Sequence, residues 1–425
     1  MHARGDADLA RALLVIVETG ELLLLSGAGA AEVVTTMGAV ADAYSLPECV
    51  ADVTSTSLMV SYRSSPETLP ITEVRLVGEY GLDYARLRSV HRLVAGIRAG
   101  VVGPEAALAA LDRMRSSPPP YKPWLVALAF AVTGASFTLM LGGGAVVFAA
   151  AFTTTIVVEL LNRWLSGRRV QRFYQCVLGG ALSTVVATLL QLTELTTQSS
   201  LVVVGGIVVL LPGLAFVAGV QDAIAGYFIT ASARILDAAI QTFAIVGGVG
   251  VALYVAVQCG VHVPLAPFAV RAAQEWQQFA FIGAAAAAVC VGFATVTQSS
   301  PKLMLSSGVT GAVGWTVYLL LSQKLGGPPV LAAAGAAVVV GLTSQIVARR
   351  FDVPPVLHIV VGIAPLAPGS TIYQGLLSLS QGESLAGLLT VGQAAAIGLA
   401  VAAGATLGPR RVAAPKPEAD FRAPD

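Results

Sequence analysis

From Trp124 to Leu407 the residues Asp, Glu, Lys and Arg are so sparse that this stretch cannot hold itself in water by its own surface. Over the whole chain they make up 12% of the residues, against roughly 25% in an average soluble domain. A long uncharged run excludes most water-soluble folds and points to lipid as the solvent. Before residue 122 the load of Asp, Glu and Arg is ordinary, so the chain divides into a soluble-like part and a membrane part.

A helix that crosses a bilayer needs ~20 apolar residues. Ten segments qualify, at 124–142, 144–162, 172–190, 199–217, 233–257, 277–297, 303–321, 328–347, 356–378 and 385–407. Gly/Pro-rich or charged breaks separate them, such as LGGGA at 141–145, RWLSGRRVQR at 163–172 and GGPP at 326–329. Orientation follows from Lys and Arg, which stay on the cytoplasmic side. With the N-terminal region inside, the inner loops and tail carry Arg163, Arg168, Arg169, Arg172, Arg234, Lys302, Arg349, Arg350, Arg410 and Arg411. The outer loops carry Arg271 and Lys324. The expected localisation is a multi-pass cell membrane protein with both termini cytoplasmic.

The membrane part also repeats itself at an offset of 156 residues. Leu201–Gly213 (LVVVGGIVVLLPG) and Leu357–Gly369 (LHIVVGIAPLAPG) are identical at seven of thirteen positions, and Phe137/Phe293, Gly179/Gly335, Gly226/Gly382 and Gly248/Gly404 obey the same offset. Each copy holds five spans, an odd number, so the second copy enters from the opposite side. The expected fold is a mainly α-helical polytopic membrane protein with two inverted five-helix repeats, 124–260 and 277–408, followed by a cytoplasmic tail at 409–425. Inverted repeats organise many secondary transporters, whose substrate sites lie near the midplane at the repeat interface. They also build channels, and that reading stays open here.

Pro212-Gly213 and Pro368-Gly369 fall at equivalent places in the two copies. Proline removes a donor and collides with the preceding turn, so both spans should break there. Broken backbone at membrane depth survives only inside protein or beside a wet cavity. Pro212, Gly213, Pro368, Gly369 and the adjoining Ser370 and Tyr373 are therefore candidates for the substrate site. A structural kink is the plainer alternative. Acids near a membrane are costly and tend to be functional, which selects Asp222, Asp237 and Glu159 as proton-coupling candidates, Asp222 also for substrate. Glu159 lies near Arg163 and Arg168 and is expected to pair with them. His358, at a span edge, is expected to be interfacial.

Residues 1–115 read as a small α/β domain. Residues 6–45 should form two helices meeting near Ser26–Gly29, Val50–Tyr62 and Leu69–Val77 should be strands, and Asp83–Gly100 and Pro104–Arg115 helices. SSPPPYKP at 116–123 is a stiff linker. LLLLSGAGAAE at 22–32 imitates a leader and its cleavage site, but Glu18 and Glu21 adjoin it, and an uncut helix–turn–helix junction fits better. Ser55, Ser57, Ser61 and His91 invite a hydrolase reading, but no GxSxG supports one, and no enzyme is expected. Without GxxxxGK[ST] an ATP-driven pump is not expected. Cys49, Cys176, Cys259 and Cys290 lack metal spacing and read as small buried apolar residues. A net charge of +1 gives no reason to expect nucleic acid. No cofactor is called for. The partners expected are a small-molecule substrate, protons and the bilayer, with homo-oligomerisation open.

SGAGAAEVVTTMGAVADAYSL (26–46) resembles the opening of the threonine/serine exporter (ThrE) family. VVLLPGLAFVAGVQDAIAGYF (208–228) is similar to that family's Pro-Gly…Asp segment, and APLAPGSTIYQGL (364–376) to its Pro-Gly…Tyr signature. The resemblance runs from about residue 10 to 408. It implies ten spans, a cytoplasmic N-terminal domain and export of L-threonine and L-serine driven by the proton-motive force. It carries roles to Glu32, Pro212, Gly213, Asp222, Pro368, Gly369 and Tyr373. Tyr227 departs from the pattern, where an acid is expected, while Glu383 holds the matching place in the second copy. Export of dicarboxylates such as succinate, a passive channel and a membrane-anchored signalling domain are the competing functions.

Overall fold

The computed structural model describes residues 6–78, 81–193, 198–261, 263, 275–351 and 354–407. Its N-terminal unit begins with α1 (Asp6–Leu25) and α2 (Ala30–Ala43). The turn between them is the LLLLSGAGAAE junction: Leu22, Leu23 and Leu24 are fully buried, and Gly27 has φ +96° with its Cα turned against Leu82 and the Gly81 carbonyl. That left-handed backbone with no room for a Cβ requires glycine. Val50–Tyr62, expected as one strand, is a hairpin of β1 (Val50–Val53) and β2 (Ser57–Tyr62). The Thr54 hydroxyl takes the Ser57 N–H at 3.1 Å and turns the chain. β3 (Ile71–Leu76) completes an antiparallel sheet in the order β1-β2-β3, with Val53 opposite Leu58 and Met59 opposite Val74. Helices α3 (Tyr84–Arg98), capped by the Asp83 carboxylate on the Arg86 N–H, and α4 (Pro104–Ser116), opened by proline, follow.

The apolar part holds α5 (Pro123–Met140), α6 (Ala145–Gly167), α7 (Arg172–Leu192), α8 (Ser199–Ile207), α9 (Gly213–Ile224) and α10 (Phe228–Gln258). Its second half holds α11 (Trp276–Val296), α12 (Pro301–Leu319, continued by a π turn to Lys324), α13 (Pro329–Phe351), α14 (Val356–Gly362), a 3-10 turn at Ala364–Leu366, α15 (Gly369–Ser380) and α16 (Ser384–Thr406). Among the described residues eight helices are long and apolar enough to cross a membrane, and the α14–α15 pair, bent by 44°, makes a ninth if counted as one span. The chain is thus a multi-pass membrane protein, and the ten continuous spans are not what is seen. The reason is backbone chemistry: the spans expected at 199–217 and 356–378 each divide at Pro-Gly, where the proline ring ends the upstream hydrogen-bond ladder. The span expected at 233–257 starts five residues earlier, at Phe228.

Starts of elements recur at the 156-residue offset: α6 and α12, α9 and α15, and α10 and α16. Packing partners recur as well. The α7–α10 contact is matched by α13–α16, α5–α6 by α11–α12, and α9–α16 by α15–α10. The first helices of the halves, α5 and α11, run antiparallel. Just before α5, Tyr121 donates its N–H to the Gln298 amide oxygen at 3.0 Å and its hydroxyl to the Ser299 carbonyl at 2.7 Å, beyond the end of α11. Further along α5, the Ala129 carbonyl lies against Gly292, earlier in α11.

One apolar core runs through both halves, including Val204, Ile207, Ile245, Ile282, Val340 and Val401. A second core joins α1–α4 and the sheet to Ala294, Leu303, Ala348 and Leu357 at the ends of α11 to α14. The N-terminal unit is therefore built onto the helix ends by shared packing. The expected disposition of cysteines holds for Cys176 and Cys290, which are buried, whereas Cys49 is half-buried and Cys259 exposed. Helices α7 and α10 touch backbone to backbone: a Cβ on Gly180 would lie 2.5 Å from the Ile245 carbonyl, and one on Gly248 would enter the Val177 carbonyl. Gly247 faces open space. Gly248→Val should therefore cost about 1–3 kcal/mol or more through overpacking, read as a lower unfolding midpoint in detergent, while Gly247→Ala does not lower the midpoint.

Candidate functional site

The two Pro-Gly breaks meet. Pro212 and Pro368 occupy the same position before α9 and α15, with φ/ψ of −82°/36° and −78°/17°. Each proline carbonyl accepts the first helical bond, from the Phe216 and Ile372 N–H groups, both at 2.9 Å. The helices start at Gly213 and Gly369, and these glycines are in contact: a Cβ on Gly213 would lie 2.7 Å from the Gly369 nitrogen, and one on Gly369 3.2 Å from Gly213. The surroundings are reciprocal, since Gly213 also faces Ala367 and Gly369 faces Leu211, its 156-residue counterpart. Only residues without a Cβ allow this approach.

Two helix N-termini thus point their first-turn N–H groups, and the positive ends of their dipoles, into one region. A carboxylate is the group such a place favours. In this conformation the glycines close on each other. Ser370 sits half-buried in the first turn of α15, and Tyr373 is buried one turn later. Helix α16 covers the region, with Gly398 against Phe216 and Pro368. Upstream of the breaks, equivalent carbonyls are held by side chains from neighbouring helices: Gly205 by the Thr155 hydroxyl at 3.1 Å, and Val361 by the Cys290 thiol at 3.2 Å. Loose carbonyls beside a break are costly in an apolar setting, and each half solves this with a different residue.

Of the site residues expected from sequence, the structure brings together Pro212, Gly213, Pro368 and Gly369, with Ser370 and Tyr373 on the same helix. It places Asp222 elsewhere. Nine residues beyond Gly213, Asp222 stands about 13 Å along α9 from the break. Its buried carboxylate accepts the Ala30 N–H at 3.0 Å and pairs with Arg234 Nη1 at 2.8 Å. Arg234 Nη2 donates to the Ala28 carbonyl at 3.2 Å. Of the two arginines expected to pair with Glu159, Arg163 does so at 2.6 Å, whereas Arg168 lies over the Trp164 ring at 4.0 Å. Asp237 is exposed and accepts the Gln241 amide at 2.7 Å, and Gln241 in turn accepts from Arg172 at 3.1 Å.

Sequence reasoning did not find Arg234 as the partner of Asp222. The available signal was Gly29, which precedes a helix yet has no side chain to cap it. Glu32 meets His91 Nε2 at 2.9 Å in the N-terminal unit. Beside them Tyr84 is buried, and burial first, then the Glu32 charge, push its hydroxyl pKa far above the usual value. His358 is not interfacial but fully buried, its ring nitrogens 3.1 and 3.3 Å from the Ser307 and Ser306 hydroxyls. It projects from α14 against α12, whose adjacent Ser306 and Ser307 supply both hydroxyls. Among the described residues no group of three or more His, Cys, Asp or Glu side chains could hold a metal.

Comparison with known proteins bears on both halves. The family model described as a putative threonine/serine exporter matches residues 14–256, and one described as threonine/serine exporter, ThrE, matches residues 281–409. The chain is 32% identical over 411 residues to a threonine/serine exporter of Corynebacterium glutamicum, covering 95% of this chain and 82% of that protein. It is also 32% identical over 415 residues to a probable threonine/serine exporter of Mycobacterium tuberculosis, covering 96% of this chain and 76% of that protein. No solved structure matches.

The glycine contact is open to direct test. Gly213→Val must push α9 and α15 apart or strain their first turns, at a cost of about 1–3 kcal/mol. The expected readout is a lower unfolding midpoint in detergent, with a smaller effect for Ser370→Ala, whose side chain is half-buried.

Proposed function

The chain belongs to the threonine/serine exporter family, and from that premise we propose that it exports L-threonine and L-serine from the cytoplasm as a secondary transporter driven by the proton-motive force. The observation that carries this reading is the reciprocal contact of Gly213 with Gly369 at two Pro-Gly helix starts. Discontinuous helices whose N-termini converge at a repeat interface bind carboxylate-bearing substrates in many secondary transporters. The substrate α-carboxylate would take the first-turn N–H groups of α9 and α15 once the glycines part, with Ser370 and Tyr373 beside it.

The repeated element starts, the matched packing partners and the antiparallel α5–α11 pair support two inverted repeats. The broken pairs α8–α9 and α14–α15 then serve as the fourth and ninth of ten crossings. The face that carries the N-terminal unit also carries Arg172, Arg234 and Lys302, a positive-inside bias that supports a cytoplasmic N-terminal unit. Energy would come from protons, with Asp237 and Glu159 as the carboxylates able to carry them, since the Asp222 carboxylate is taken up by the Ala30 N–H and Arg234.

Liposomes containing the purified protein and loaded with labelled threonine test this. Release should saturate with threonine, accelerate when the side opposite the N-terminal unit is made acidic, and lose that acceleration with a protonophore. Gly213→Val should cut the rate at least about tenfold, the loss expected when a bound carboxylate is displaced by roughly 1.4 kcal/mol. Linear release indifferent to the gradient would mean a channel. A panel with succinate and serine separates amino-acid from dicarboxylate export.

A further inference from the structure

Helix α9 is held at both ends. Its N-terminal end abuts α15 at the glycine contact, and its C-terminal end is fastened to the N-terminal unit through Asp222. Helix α2 has Gly29 at its N-cap and no side chain of its own to satisfy its first turn. The capping carboxylate comes from Asp222, 192 residues away. Arg234, on α10, then bridges the two parts, with one guanidinium nitrogen on Asp222 and the other on the Ala28 carbonyl. One carboxylate and one guanidinium so join three elements: the turn 28–30, α9 and α10.

The arrangement belongs to one half alone. At the 156-residue offset, Asp222 and Arg234 correspond to Ser378 and Thr390, and Thr390 bonds within its own helix. A contact made only to scaffold the repeats would be expected in both. A side-chain cap and a charge-assisted hydrogen bond each contribute a modest net free energy. Interactions of that size are firm enough to fix a helix end and weak enough to open on the timescale of a transport cycle.

We infer that Asp222 and Arg234 form a latch through which the N-terminal unit sets the position of α9, and hence whether α9 can part from α15. Asp222 is on this account a positioning residue. The inference rests on the reading that substrate passes between the starts of α9 and α15. It gives the N-terminal unit a task in transport, as the anchor against which α9 is held.

The test uses the full chain with Cys49 and Cys259 changed to Ser and Gly29→Cys as a reporter. Gly29 is half-buried, and an added Cβ there would sit in ordinary contact, 3.5 Å from Asp222 Oδ1. The rate at which a membrane-impermeant maleimide labels position 29, taken at high pH where the thiol is fully ionised in every variant so that loss of the nearby carboxylate does not itself speed it, reports how often the latch is open. Adding Asp222→Ala should raise that rate at least about fivefold, as expected when an opening equilibrium shifts by roughly 1 kcal/mol. It should also lower the maximal threonine flux with the half-saturating concentration little changed. Asp222→Asn, which keeps an oxygen for the Ala30 N–H, should restore part of both. Arg234→Ala should act as Asp222→Ala does, and it serves in its place if that variant does not give a monodisperse peak on gel filtration. Unchanged labelling would overturn the latch, and faster labelling with full flux would overturn its role in transport. Absence of threonine flux in the unmutated chain would count against the export reading, and the labelling comparison would still decide whether the latch exists.

Discussion

A peptide group without a hydrogen-bond partner in hydrocarbon costs several kcal/mol, and the architecture follows from the two places where this chain accepts that cost. At Pro212 and Pro368 the helical ladder is cut, and everything nearby repairs or exploits the cut. Thr155 and Cys290 occupy carbonyls upstream of it. The glycines that follow let the new helix starts touch, so that each break is buried against the other. Break and counter-break form one structural unit. This explains why Pro-Gly stands at both positions, whereas the residues that hold the carbonyls differ between halves.

Much of this is legible in sequence because it depends on local chemistry. Proline and glycine break a helix whatever surrounds them, so the cuts at 212 and 368 can be placed from the residues alone. Apolar length marks the helices from α5 to α16, and Gly27 marks the turn between α1 and α2. What is not legible depends on distant partners. Asp222 reads as a membrane-edge acid, and nothing in its neighbourhood says that it caps α2. His358 reads as interfacial because its own segment is apolar. The hydroxyls of Ser306 and Ser307 that allow its burial lie on another helix. The hairpin at Thr54–Thr56 was hidden for a different reason, since a run of β-branched residues looks like a continuous strand.

The halves share a skeleton and differ in their polar residues. Element starts and packing partners recur, yet the charges Asp222, Arg234, Glu159 and Arg163 correspond to Ser378, Thr390, Trp315 and Leu319. Backbone geometry is thus held in common, while the Asp222–Arg234 pair that meets the N-terminal unit belongs to the first half alone. That unit shares its core with the ends of α11 to α14 through Leu303, Ala348 and Leu357.

The Asp222 cap on α2 also has a bearing on how the chain is made. Ribosomes add about 5–20 residues per second, so the 192 residues between Ala30 and Asp222 take on the order of 10–40 s to appear. The N-terminal unit leaves the tunnel first, but its helix cap arrives only with α9, and part of its core only with α12 and α14. Throughout that interval the apolar face that α12 and α14 later cover stands open. Maturation of the water-exposed part is thereby tied to insertion of the helices that follow it, and a chain stalled before α9 would present an unfinished surface to chaperones.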